Sequence, residues 1–147
     1  MIQRIQSLYL LLATAAYVCL FFFPFAGIVT PDNKTLSLSV LGVTDNGMVF
    51  HGTALLLAGV ILLTVLSFSI IFLYKKRMVQ SRMTAICLLL NVALIVGMFL
   101  FSDSLAKGTI NFETGSYIVL VPLVFLVLAN RAIRRDEMKV RAADRLR

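Results

Sequence analysis

The chain has 147 residues, 60% of them hydrophobic and 14% charged, with a mean hydropathy of +0.95. Soluble domains carry roughly 25% charged residues, so a water-soluble core does not account for this composition, and if the chain spans a membrane four times, 147 residues leave little for a separate soluble catalytic domain. The formal net charge of +7 would suit a nucleic-acid ligand, but its distribution points elsewhere.

Four apolar stretches, Leu8–Val29, Thr53–Tyr74, Met83–Phe101 and Gly115–Asn130, contain no Asp, Glu, Lys or Arg. Each approaches the roughly 17–25 residues a helix needs to cross the hydrocarbon core of a bilayer. The expected fold is all-α: a single membrane domain spanning 1–147, a four-helix transmembrane bundle with helices at about 5–29, 53–75, 82–102 and 114–142. The first helix carries Pro24 in the run Phe21-Phe22-Phe23-Pro24-Phe25, so a kink or helix end is expected near Phe23. Its apolar run exceeds a typical signal-peptide core and no Ala-x-Ala site closes it, so it reads as a retained helix. Cys19 and Cys87 fall inside spans without a Cys-x-x-Cys pattern and read as small hydrophobes.

The loop 30–52 has internal order. Leu36, Leu38 and Val40 alternate with polar residues, and Asn46-Gly47 precedes Met48-Val49-Phe50, a strong short-range signal for a β-hairpin. A small extracytoplasmic hairpin over the mouth of the bundle is expected. His51, the only histidine, reads as a capping or interfacial hydrogen-bonding group, because a metal site would need partners and the nearby Asp45 and Asp32 make a weak set without a second His or Cys.

In the second helix Ala54, Ala58 and Gly59, and in the third Ala93 and Gly97, show the small-xxx-small spacing that lets helix backbones approach closely. Together with Asn91, the most polar residue in mid-span, they are the expected packing seam. The fourth segment is short and holds Pro122, but Arg131 can snorkel to the headgroups and extend its reach. Helix-forming residues continue through the basic tail, where Glu137 and Arg141 are spaced as a helix-surface ion pair.

Twelve cations, Arg4, Lys75, Lys76, Arg77, Arg82, Arg131, Arg134, Arg135, Lys139, Arg141, Arg145 and Arg147, lie on one side of the expected spans, and only Lys34 and Lys107 on the other. The positive-inside rule then puts both termini in the cytoplasm. The seven tail cations, Arg131 to Arg147, are the candidate partner- and lipid-binding residues, for anionic headgroups or an acidic protein partner. Nucleic acid is not an expected partner, a ribosome contact by the tail aside. No cofactor, metal or catalytic residue is expected.

Met1-Ile2-Gln3-Arg4-Ile5-Gln6-Ser7-Leu8-Tyr9-Leu10-Leu11-Leu12, with Ala129-Asn130-Arg131-Ala132-Ile133-Arg134-Arg135-Asp136-Glu137 and Val140 to Arg147, resembles an uncharacterised family of small four-span membrane proteins from Bacteroidota, a domain of unknown function. The resemblance covers the whole length and is most specific at the two ends; Ala142 departs from an expected serine. It implies a bacterial inner-membrane location and supplies no catalytic residues. Three functions fit these observations to different degrees. A non-enzymatic accessory or scaffold subunit of an export or envelope-biogenesis complex accounts for the small-residue seams, the ordered loop and the basic tail. A small-solute transporter or channel would normally place an ionisable residue within the membrane. An enzyme acting on lipid or quinone would have to assemble His51, Asp45, Asp103 and Glu113, which no motif supports.

Overall fold

The third helix shows how these residues organise the molecule. Along Arg77–Leu105 the buried positions Gln80, Thr84, Cys87, Asn91, Leu94, Met98 and Ser102 are spaced three or four apart, with Ser81 buried beside the first of them, so one stripe faces inward while Leu89, Val96 and Leu100 face out. The computed structural model describes residues 3–29, 35–45, 48–50, 53–105 and 109–145. In chain order these form α1 (Gln3–Cys19), β1 (Ala26–Val29), β2 (Thr35–Leu38), β3 (Val43–Asp45), β4 (Met48–Phe50), α2 (Ala54–Phe72), α3 (Arg77–Leu105), β5 (Thr109–Phe112), α4 (Thr114–Ile118) and α5 (Leu120–Arg145). A 3-10 turn, Leu73–Lys75, joins α2 to α3.

Helix α1 packs on α2 and α5, and α3 packs on both as well, closing a ring of four long helices with α1 and α5 as neighbours. Leu10, Ala13, Tyr17, Val60, Leu63, Cys87, Leu126 and Ala129 meet in its core. Ala54–Phe72, Arg77–Leu105 and Thr114–Val140 are long and apolar enough to cross a membrane, while the apolar part of α1, Ile5–Cys19, is shorter. Their outward faces are apolar too, with Leu55 86%, Leu89 68% and Phe72 65% exposed. Apolar surface on this scale is foreign to a soluble monomer and points to membrane residence.

The five strands form one antiparallel sheet in the order β4-β3-β2-β1-β5. Ala26 pairs with Leu38 and Leu38 with Val43, and these three side chains are buried in the same core as the helices. Thr53 Oγ1 donates to Val40 O at 3.0 Å and ties the start of α2 to this layer. The sheet is therefore a lid on one end of the bundle, apolar side inward.

Two expectations are corrected here. The first helix was expected over 5–29, but α1 ends at Cys19 and Ala26–Val29 is a strand. Pro24 offers no N–H, while Phe25 N donates to Leu38 O at 2.8 Å, so sheet bonds replace helical ones from that point. Where a small extracytoplasmic hairpin was expected, the chain forms a five-stranded sheet, because β1 and β5 come from segments without a turn signal of their own. β3 and β4 pair across Asp45 and Met48 as the Asn-Gly pattern predicts. Asn46-Gly47 and His51 lie outside the described residues.

The fourth segment breaks at Val119 into α4 and α5. Pro122 has no N–H to donate to the Ile118 carbonyl and its ring crowds that oxygen, whereas three residues into α5 it costs little. Gly115 docks α4 against the chain beyond α1: its N–H donates to Pro24 O at 2.8 Å, and an added Cβ would sit 2.6 Å from that same oxygen. Only glycine fits there.

Candidate functional site

The sequence-predicted seam is only partly a seam. Asn91 is fully buried, and Gly59 and Gly97 mark the close approach of α2 and α3, where an added Cβ would meet Leu94 Cδ1 at 3.2 Å and Leu56 Cδ2 at 3.5 Å. Ala54, Ala58 and Ala93 are exposed. A four-residue spacing selects a helix face without saying which face turns inward; in α2 the inward one carries Leu56, Val60, Leu63, Ser67 and Ile70.

The polar groups of the interior find one another across helices. Tyr17 Oη donates to Asn91 Oδ1 at 3.0 Å. The Thr14 and Ser67 hydroxyls lie 3.1 Å apart and share the Leu10 carbonyl at 2.9 and 3.3 Å. Ser81 Oγ donates to Asn130 Oδ1 at 2.9 Å, and Gln80 Nε2 caps the end of α2 through Ile70 O at 3.2 Å. Buried polar atoms need such partners where water is excluded. Asn91 Nδ2 and Gln80 Oε1 are buried without a hydrogen-bond partner among the described residues. Sequence reasoning singled out Asn91 and missed Tyr17, whose role depends on a contact between residues 74 apart.

At the end opposite the sheet, α5 runs on beyond its apolar stretch and sorts its cations by helical period. Arg131, Arg135 and Lys139 recur every four residues on the side of α1; Arg134 falls on the side of α3. Between α1 and α5 opens a cleft of about 450 Å³ lined by Ile5, Gln6, Tyr9, Leu128, Arg131, Ala132, Arg135, Asp136 and Lys139. Tyr9 stacks on Phe125 beside it, ring centroids 6.4 Å apart. Asp136, alone acidic among the residues lining the cleft, is 9% exposed and accepts a hydrogen bond from Gln6 Nε2, which also reaches Ala132 O at 3.4 Å. The carboxylate is thus turned into the α1–α5 contact, whereas Arg131, Arg135 and Lys139 are exposed. A second groove of about 360 Å³, between α3 and α5, is lined by Met78, Ser81, Arg82, Arg134, Glu137 and Met138.

The four predicted tail cations whose side chains are described are therefore divided between two grooves. Arg131, Arg135 and Lys139 share the first cleft and Arg134 lines the second groove. Arg141 and Arg145 ride on the last turns of α5, and Arg147 lies outside the described residues. The signal for this partition was present in the four-residue spacing, but the partner helix on each side was not.

Comparison with known proteins identifies a family. The family described as "Domain of unknown function (DUF4293)" matches residues 2–146. No curated protein and no solved structure matches the chain.

Proposed function

Starting from a chain that belongs to the DUF4293 family, we propose a non-enzymatic, four-span protein of the bacterial inner membrane, an accessory or scaffold subunit of a larger export or envelope-biogenesis complex. The observation that carries the reading is the pairing of two display surfaces on one ring of helices. At one end, segments on either side of the helices are fastened into a single sheet; at the other, α5 projects basic turns past the apolar bundle.

The fourth span is supported by the end of α1. Leu20 N to Tyr17 O, Phe21 N to Val18 O and Phe22 N to Cys19 O continue the rod by three 3-10 bonds. From Ile5 to Phe22 it measures roughly 27 Å, a few ångströms short of the hydrocarbon core, a mismatch a bilayer absorbs at modest cost. The concentration of cations at the end opposite the sheet supports cytoplasmic termini. In a variant lacking Cys19 and Cys87, Ser37→Cys should react with a membrane-impermeant maleimide added outside the cytoplasmic membrane, and Lys139→Cys only after permeabilisation.

The functional test is purification in gentle detergent at native abundance, with mass spectrometry of co-purifying proteins. A partner in near-equal amount supports the subunit reading; a lone, monodisperse species counts against it. A second reading, a small-solute transporter or channel, draws on the polar half of the α3 stripe and its unpartnered Asn91 Nδ2 and Gln80 Oε1. Solute-dependent flux in proteoliposomes that Asn91→Leu abolishes would favour it.

A further inference from the structure

We propose that the cleft between α1 and α5 is a binding site for one anionic phospholipid of the cytoplasmic leaflet. The inference rests on the membrane placement above and gives the basic end a ligand. The cleft has the layout of an amphiphile. Ile5, Tyr9 and Leu128 give it an apolar part level with the last uncharged turns of α5, and Arg131, Arg135 and Lys139 continue it into the region where charge begins.

Charge complementarity selects the occupant. Three exposed cations stand over one carboxylate, and that carboxylate is directed at Gln6 within the helix contact. Arginine presents a planar fork of donors that matches phosphate oxygens, and two arginines one turn apart can hold one phosphodiester from two sides. Lys139 lies one turn further along and meets the polar part of the headgroup. An acyl chain against Ile5 and Leu128 completes the fit; both are apolar and exposed, at 48% and 37%. A soluble phosphate ester would use only the basic half of this surface, and a zwitterionic lipid would leave its positive excess uncompensated.

The test uses the full-length protein in mixed micelles with equal phosphatidylglycerol and phosphatidylcholine, read by native mass spectrometry. Wild type should retain phosphatidylglycerol selectively. Arg131→Gln/Arg135→Gln/Lys139→Gln should retain about tenfold less or lower still, since each surface cation contributes substantially to anionic-lipid attraction. Arg77→Gln/Arg82→Gln/Arg134→Gln, which removes the same charge at the same end, should retain it. Equal loss in both triple variants, or no selectivity in wild type, overturns the site. Competition by soluble glycerol phosphate at comparable concentration also overturns it, since the acyl half would then contribute nothing. Should the first variant fail to fold, a photoactivatable phosphatidylglycerol on wild type decides: labelling concentrated in residues 5–9 and 128–139 supports the site, and labelling spread over the outer helix faces overturns it. Lost lipid selectivity with partners still co-purifying overturns this inference alone. Retained selectivity without any partner overturns the subunit reading and leaves the site standing.

Discussion

The two ends of the bundle are held by different means. At the sheet end the fastenings are mostly backbone: Phe25 N to Leu38 O, Glu113 N to Phe25 O and Gly115 N to Pro24 O join the chain beyond α1 to two segments remote in sequence. At the basic end they are side chains, Gln6 to Asp136, Ser81 to Asn130 and Gln80 to Ile70 O. Backbone bonds tolerate any side chain but no added bulk where chains touch. Side-chain bonds tolerate bulk changes nearby but depend on residue identity. The sheet end should therefore fail through sterics and the basic end through chemistry.

The largest expected effect is Gly115→Ala. Its Cβ would lie 2.6 Å from Pro24 O and 2.9 Å from Phe23 O, both main-chain atoms, so α4 must shift at a cost of about 3 kcal/mol. Thermal unfolding in detergent should show it, with faster proteolysis in the sheet than at the α1–α5 contact; an unchanged melting temperature would remove the steric half of the comparison. Next comes Tyr17→Phe, which strands Asn91 in the core and should cost about 1–2 kcal/mol. Tyr17→Phe/Asn91→Leu should cost less than the sum of the two single changes, and strict additivity would show that the pair is not coupled. Gln6→Leu should cost about 1 kcal/mol, by leaving the largely buried Asp136 carboxylate without its donor. Ser81→Ala should be smallest, about 0.6 kcal/mol, as interhelical hydrogen bonds in bilayers average near that value. If Ser81→Ala outweighed Gly115→Ala, the assignment of the two ends would be reversed.

The three long apolar helices were legible because a run of uncharged residues long enough to cross a bilayer is seldom used for anything but a membrane span. A helix end near Phe23 was legible from Pro24 and the helical turns do stop at Phe22, but the strand that follows was not, since Phe25–Val29 is apolar throughout and carries no period to separate helix from strand; only its pairing with Leu36, Leu38 and Ile110 decides the matter. β5 was missed because four residues between two helices carry too little pattern. Asn91 stood out for its polarity in an apolar run, but Tyr17 looked like any aromatic. The basic tail was plain as charge, and its division between two grooves became visible only once α1 and α3 took their places on either side of α5.

The adjacency of α1 and α5 sets an order of events during synthesis. Helices α2 and α3 are neighbours in sequence and can pair as soon as both have left the ribosome, but the part of α1 that packs on α5 stays uncovered until α5 has been made. β1 likewise waits for β5 before both its edges are paired. A nascent chain halted before Asp136 would hold an incomplete ring, with Gln6 lacking its acceptor on α5 and open to chaperones or to the wrong helix. Closure of the molecule is thus timed by the synthesis of α5.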